Sequence, residues 1–207
     1  MQSLTKLLKD ALNKPLPGIE AQYEMAPITR PRFDMARLDP SSYRKSAVML
    51  LIYKDKDSYY IPLVKRHEYK GKHSNQIGLP GGKFDEADGN LMTTALRELH
   101  EEIGIHKQDI EIIGALTPLY IPVSSFYVEP FIAVCTLDKI NFNVDAREVK
   151  QLIQLDTALL KQDSIIEHGG IVSGDGYKLK TPYFNVEGEI IWGATAMILN
   201  EFKKLIT

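Results

Sequence analysis

Apolar residues recur at three- and four-residue intervals between Leu4 and Leu12, the spacing that lines one face of a helix, and Pro15 and Pro17 end that pattern. A loop carrying Pro27, Pro31 and Pro40 follows, so residues 1–44 are expected to form a helix and a proline-containing extension packed on a body of residues 45–207. Residues 46–53 (SAVMLLIY) and 59–65 (YYIPLVK) are short runs rich in strand formers. The polar turn 54–58 between them predicts a hairpin. The run GLPGG at 78–82 interrupts the pattern, and helical spacing resumes over 91–103. Asp88 or Asn90 can cap that helix, and Gly104 suits its left-handed end. Residues 110–115 and 128–137 read as further strands. Residues 148–161 begin strand-like and end in a short helix at 157–160. A hairpin is expected within 171–184 and a closing helix over 195–206. Strands and helices interleave irregularly, which predicts an α/β fold with a mixed sheet between helices.

Composition narrows the function. The 207 residues are 44% apolar and 25% charged, the balance of a globular protein with a real core. A net charge of −2 supplies no long-range field to draw nucleic acid or an anionic membrane, so neither is expected as a partner. Cys135 is the single cysteine and lies in the apolar run 131–137, so a disulfide framework is excluded and a reducing, cytoplasmic setting is expected. No run approaches the ~18 apolar residues of a membrane span, and the N-terminus reads as a surface helix rather than a signal peptide.

The stretch RELHEEIG, residues 97–104, carries Glu98, Glu101 and Glu102 on one helix. At about 100° per residue these three span an arc of about 100°, apart from the arc of Met92, Ala95, Leu96, Leu99 and Ile103 that must face the core. Local physics disfavours the acidic arc. Glu98 and Glu102 repel at i,i+4 by roughly 0.2–0.5 kcal/mol, and Glu101 and Glu102 sit at the negative end of the helix dipole at roughly 0.3–1 kcal/mol each. Arg97 offsets part of this from i,i+4 to Glu101. A hard divalent cation would remove the conflict by taking carboxylate oxygens. Just upstream, Gly81 and Gly82 let backbone approach a ligand closely.

Read from Gly82, the segment GKFDEADGNLMTTALRELHEEIGI resembles the signature of the Nudix hydrolases: Gly, five residues, Glu, seven residues, then Arg-Glu-aliphatic-x-Glu-Glu-x-Gly-aliphatic. Arg97, Glu98, Leu99, Glu101, Glu102, Gly104 and Ile105 match its second half without a gap. Asp88 stands where Glu is usual, and eight residues rather than seven separate it from Arg97. The resemblance implies a Nudix-type α/β/α sandwich over residues 45–207. It also implies Mg²⁺ or Mn²⁺ held by Glu98, Glu101 and Glu102, with the Gly81 carbonyl as a further ligand and Glu148 as an outside acidic residue joining them. Arg97 would orient the carboxylates, and Glu98 or Glu101 would serve in catalysis, the base differing among family members. The implied reaction is attack of activated water on a diphosphate linked to another group. A homodimer is plausible by the same resemblance.

Outside that box, residues 62–82 (PLVKRHEYKGKHSNQIGLPGG) resemble the coenzyme A diphosphatase branch at Leu63, Arg66 and Pro80-Gly81-Gly82, with matching spacing from Arg66 to Pro80. They differ at Pro62, Val64, His67, Gly71, Asn75 and Leu79. Residues 119–131 and 182–199 also resemble that branch. Lys65, Arg66, Lys70, Lys72 and His73 form a basic cluster on an otherwise slightly acidic chain, suited to phosphate groups. The expected substrate-binding residues are Arg66, Lys70, Lys72, His73 and Gly82, and the expected ligand is a CoA-like nucleoside diphosphate derivative. The alternatives are ADP-ribose, NAD(H) or another dinucleotide as substrate, and a non-catalytic nucleotide-sensing domain.

Overall fold

The computed structural model describes residues 2–68, 74–172 and 176–207. Its centre is set by two strands buried on both faces. Strand β1 (Arg44–Asp55) turns tightly into β2 (Ser58–Arg66), with Asp55 opposite Ser58, so the predicted hairpin forms with a shorter turn. The glycine-rich stretch contributes β3 (Ile77–Gly78) and β4 (Gly81–Lys83). Helix α3 (Leu91–Ile103) follows, preceded in the chain by α1 (Gln2–Leu12) and α2 (Gly18–Tyr23). Strands β5 (Ile110–Ala115), β6 (Leu119–Ile121), β7 (Phe126–Cys135) and β8 (Val149–Asp156) lead to the short helix α4 (Thr157–Leu160). Strands β9 (Ile166–Val172), β10 (Lys178–Val186) and β11 (Glu189–Ile191) form a separate antiparallel sheet before α5 (Gly193–Ile206).

In the main sheet β1 lies between β4, antiparallel, and β7, parallel. Strands β5 and β6 pair with the far edge of β7, while β2 carries β3 and β8. The sheet is therefore mixed, and helices cover both its faces. Alternation along β1 and β7 assigns the faces, because successive side chains point to opposite sides. Ala47, Met49, Leu51 and Tyr53 join Phe131, Ala133 and Cys135 under Ala95, Leu99 and Ile103 of α3. Leu50, Ile52, Ile132 and Val134 face the other way, with Leu8 of α1 and Ala196, Met197 and Phe202 of α5. Cys135 is buried, as a small apolar side chain in this core.

Helix α2 is absent from the sequence expectation, and a buried network explains its placement. The Glu201 carboxylate on α5 accepts hydrogen bonds from Gln22 Nε2 (2.8 Å), Thr117 Oγ1 (2.6 Å) and the Gly18 amide (3.2 Å). Asn200 Nδ2 donates to the Ala21 carbonyl at 2.7 Å. Burial without partners would make Glu201 costly, and these donors satisfy it.

Candidate active site

Helix α3 begins where Asn90 Oδ1 accepts the Thr93 amide at 2.9 Å. Asn90 is thus the cap, and Asp88 has a different task. The Asp88 carboxylate closes a single 3-10 turn through the Asp85 amide (3.1 Å), accepts Thr94 Oγ1 (2.8 Å) and pairs with Arg97 Nε (2.9 Å) and Nη2 (3.1 Å). Its fork with Arg97 is the first of several forces that hold the Asp88 carboxyl down at about 2. The extra residue before Arg97 is accommodated in this turn.

Arg97 gathers the first two glutamates. Its Nη1 donates to Glu98 Oε1 and to Glu101 Oε2, both at 2.8 Å, and Nη2 reaches the Lys83 carbonyl at 3.1 Å. Glu102 points the other way along the same acidic arc and is 1% exposed. Its carboxylate accepts the Gly81 amide at 2.9 Å and Arg66 Nη2 at 3.1 Å, and the same nitrogen donates to the Gly81 carbonyl at 3.1 Å. Burial raises the Glu102 carboxyl to about 7, with Glu98 and Glu148 adding repulsion against the pull of Arg66 and the Gly81 amide. Burial also raises Glu98, with Glu101 and Glu148 adding to it.

The two glycines are required by packing. A Cβ on Gly81 would stand 2.4 Å from the Ala47 carbonyl oxygen, and one on Gly82 would stand 2.3 Å from the Glu98 carboxyl group. The Glu98 carboxylate therefore occupies the space that a side chain at position 82 would take.

Glu148 arrives by a route the sequence does not announce. The last carbonyls of a helix lack partners within it, and here the chain after Phe142 supplies them. The Asn143 amide donates to the Ile103 carbonyl at 3.0 Å and the Asp145 amide to the Glu102 carbonyl at 3.1 Å. The Gly104 cap, at φ 76°, lies against Asn143. The strap so fixed brings Glu148 within electrostatic reach of Glu98 and Glu102.

Among the described residues, no three His, Cys, Asp or Glu side chains stand close enough together to hold an ion as placed. Glu98 and Glu101 are drawn onto Arg97, and Glu102 onto Arg66 and Gly81. The donor set nevertheless has the chemistry of a hard cation site: carboxylates of Glu98, Glu101, Glu102 and Glu148 and the Gly81 carbonyl, with no sulfur or imidazole among them. Of the expected substrate-binding residues, Arg66 and Gly82 lie beside the carboxylates; Lys65, of the same basic cluster, is paired with Glu189 at 2.7 Å. Lys70, Lys72 and His73 lie outside the described residues. The contacts of Arg66 with Glu102, and of Asp88 with Arg97, are what sequence reasoning missed. The acidic residue displaced one place in the box was the available hint.

Residues 43–168 match the NUDIX domain, and the chain belongs to that family. It is a Nudix hydrolase, an enzyme class that cleaves pyrophosphate bonds with the help of divalent metal ions. It is 28% identical over 183 residues to a protein described as an uncharacterized Nudix hydrolase, NudL, of Yersinia enterocolitica, covering 84% of this chain and 90% of that one. It is 31% identical over 128 residues to the human mitochondrial coenzyme A diphosphatase NUDT8, covering 62% of this chain and 54% of the relative. The crystal structure of the Nudix hydrolase RenU from M. smegmatis shares the fold at a TM-score of 0.55 and 13% identity, over 87% of this chain and 92% of that one. No helix of the described residues is long and apolar enough to cross a membrane.

Proposed function

We propose that the chain hydrolyses the diphosphate of coenzyme A or an acyl-CoA, giving 3′,5′-ADP and 4′-phosphopantetheine, acylated or free. The observation that carries the chemistry is the Arg97 cluster, in which one guanidinium holds Glu98, Glu101 and Asp88 beside the Gly81–Gly82 backbone. Support for CoA is the segment around Arg66 and Pro80-Gly81-Gly82, together with the 31% identity to human NUDT8.

In this reading Glu98, Glu101 and Glu102, with the Gly81 carbonyl and Glu148, hold Mg²⁺ or Mn²⁺. The ion, when bound, would screen the phosphate oxygens and lower the pKa of the attacking water. The chain's own part is positioning. Arg97 keeps Glu98 and Glu101 on one side of the helix, anchored by Asp88 from behind. Arg66 and the Gly81 amide fix Glu102. Glu98 or Glu101 takes the proton from the attacking water, and Gly82 leaves the room in which the Glu98 carboxylate stands. Arg66, Lys70, Lys72 and His73 would meet the phosphates of a CoA-like ligand.

A second reading, ADP-ribose, NAD(H) or another nucleoside diphosphate derivative, is favoured by one contact: Glu189 neutralises Lys65 and so weakens the basic cluster. Rates with CoA and dephospho-CoA, in Mg²⁺ and in Mn²⁺ with products identified by mass, separate the two. The CoA reading predicts kcat/KM lower for dephospho-CoA by about tenfold or more, the worth of one charge-assisted phosphate contact. Equal rates would overturn it and leave the broader pyrophosphohydrolase.

A further inference from the structure

Away from the carboxylates, a groove of about 750 Å³ opens between the segment after α2 and the β9–β10 hairpin, and it shares no lining residue with the active site. One wall is Tyr23, Pro27, Ile28 and Arg30, and the other is His168 and Lys180. The Ile28 amide donates to the Lys180 carbonyl at 3.2 Å and holds the two walls together.

The charges of this groove do not cancel. Arg32 is answered by Glu20 through two hydrogen bonds, of 2.6 and 2.9 Å, and Glu24 is engaged by Lys204 at 3.1 Å. Arg30 and Lys180 have no carboxylate partner among the described residues. Arg30 Nη2 donates to the Tyr120 carbonyl, whereas its Nε is buried with no acceptor among the described residues. A buried donor without an acceptor is rare in folded proteins. Nε is closed to a groove ligand as placed, but the Arg30 side chain lines the groove with Lys180 and His168, and a guanidinium matches the oxygens of a phosphate. Space is open beside the lining residue Gly170, where nothing lies within 4 Å of an added Cβ. Ile28 lines the same groove and is 79% exposed, so the organic part of a ligand would have apolar carbon to lie on.

We propose that this groove is a second, metal-independent site for a small organic phosphate monoester. Its phosphate lies against Arg30, Lys180 and His168, and its organic portion lies on Ile28 and Pro27. The assignment does not depend on which diphosphate the active site cleaves.

Calorimetric titration of the full chain in EDTA tests it, with adenosine 5′-monophosphate, orthophosphate and adenosine as three separate probes. The nucleotide is expected to bind saturably and more tightly than either of the others. Lys180→Met, at an exposed position, should weaken nucleotide binding about tenfold without changing Tm, and Arg30→Met by at least as much, while Glu101→Gln leaves it unchanged. Should Arg30→Met loosen the extension, Lys180→Met decides alone. Absence of saturable binding in EDTA, or nucleotide affinity unaltered in Lys180→Met, overturns the site. Orthophosphate binding as tightly as the nucleotide overturns the assignment of an organic phosphate.

Discussion

Gly82 and Glu98 compete for one volume, and the absence of a side chain at 82 decides where the carboxylate stands. Gly82→Ala should therefore displace Glu98 and lower kcat/KM by about 100-fold, the usual effect of an ångström-scale misplacement. Its melting temperature should stay near that of the parent, because the displaced group is a polar side chain. Steady-state kinetics and circular dichroism check both. Asp88 offers a pH test. Its folded pKa, about 2, lies below the ~3.9 of an unfolded aspartate. Its contribution to stability is then fully present above the unfolded value and is lost as pH falls toward the folded one. Asp88→Asn should be less stable at neutral pH, and its urea midpoint should fall less steeply than the parent's between about pH 4 and about pH 2. An identical slope would mean that this carboxyl is not depressed in the folded chain. The glutamates could be read from the sequence because Arg97 to Ile105 match a family pattern without a gap. The partner of Asp88 could not, because a short acidic side chain in a turn is equally suited to capping, and only the observed fork with Arg97 separates the two.

At the scale of elements, the bounds of α3, β5 and α4 follow the apolar periodicity and the breakers around them. The three-residue strands β6 and β11 are too short to carry a period, and they exist because a neighbouring strand offers hydrogen bonds. The six-residue α2 follows two prolines, starts at a glycine and depends on tertiary contacts for its stability. The expected hairpin in 171–184 is real but begins earlier, with Ile166 opposite Phe184. The strap over the end of α3 was not legible, since amides that answer helix carbonyls leave no mark on residue type. It can be tested at Gly104, where an added Cβ would lie 2.6 Å from Asn143 Cβ and the φ of 76° disfavours other residues. Gly104→Ala should destabilise the fold by about 1–3 kcal/mol in urea denaturation and reduce activity more than Lys107→Ala, an exposed control just beyond it. Equal activity in the two variants would show that the strap does not matter to the site.

Across the whole molecule, polar contacts join residues far apart in sequence. Gln22 and Glu201, 179 positions apart, meet on α5, a pairing that no local pattern could announce. Glu201→Leu would leave Thr117 Oγ1 and two backbone amides without their acceptor and take one of the two acceptors of Gln22 Nε2, at a cost of at least ~2 kcal/mol. Hydrogen exchange should then quicken first in α2, whereas unchanged protection there would place the anchoring elsewhere. Sheet, helix and strap together hold Glu98, Glu101, Glu102 and Glu148 in one neighbourhood, and affinity for a divalent ion is the property that arrangement should confer. Titration of Mn²⁺ followed by electron paramagnetic resonance measures it directly. Saturable binding to the parent chain is expected, weakened about tenfold or more in both Glu101→Gln and Glu102→Gln with the fold intact; manganese binding of equal strength in all three proteins would contradict a metal site on these carboxylates.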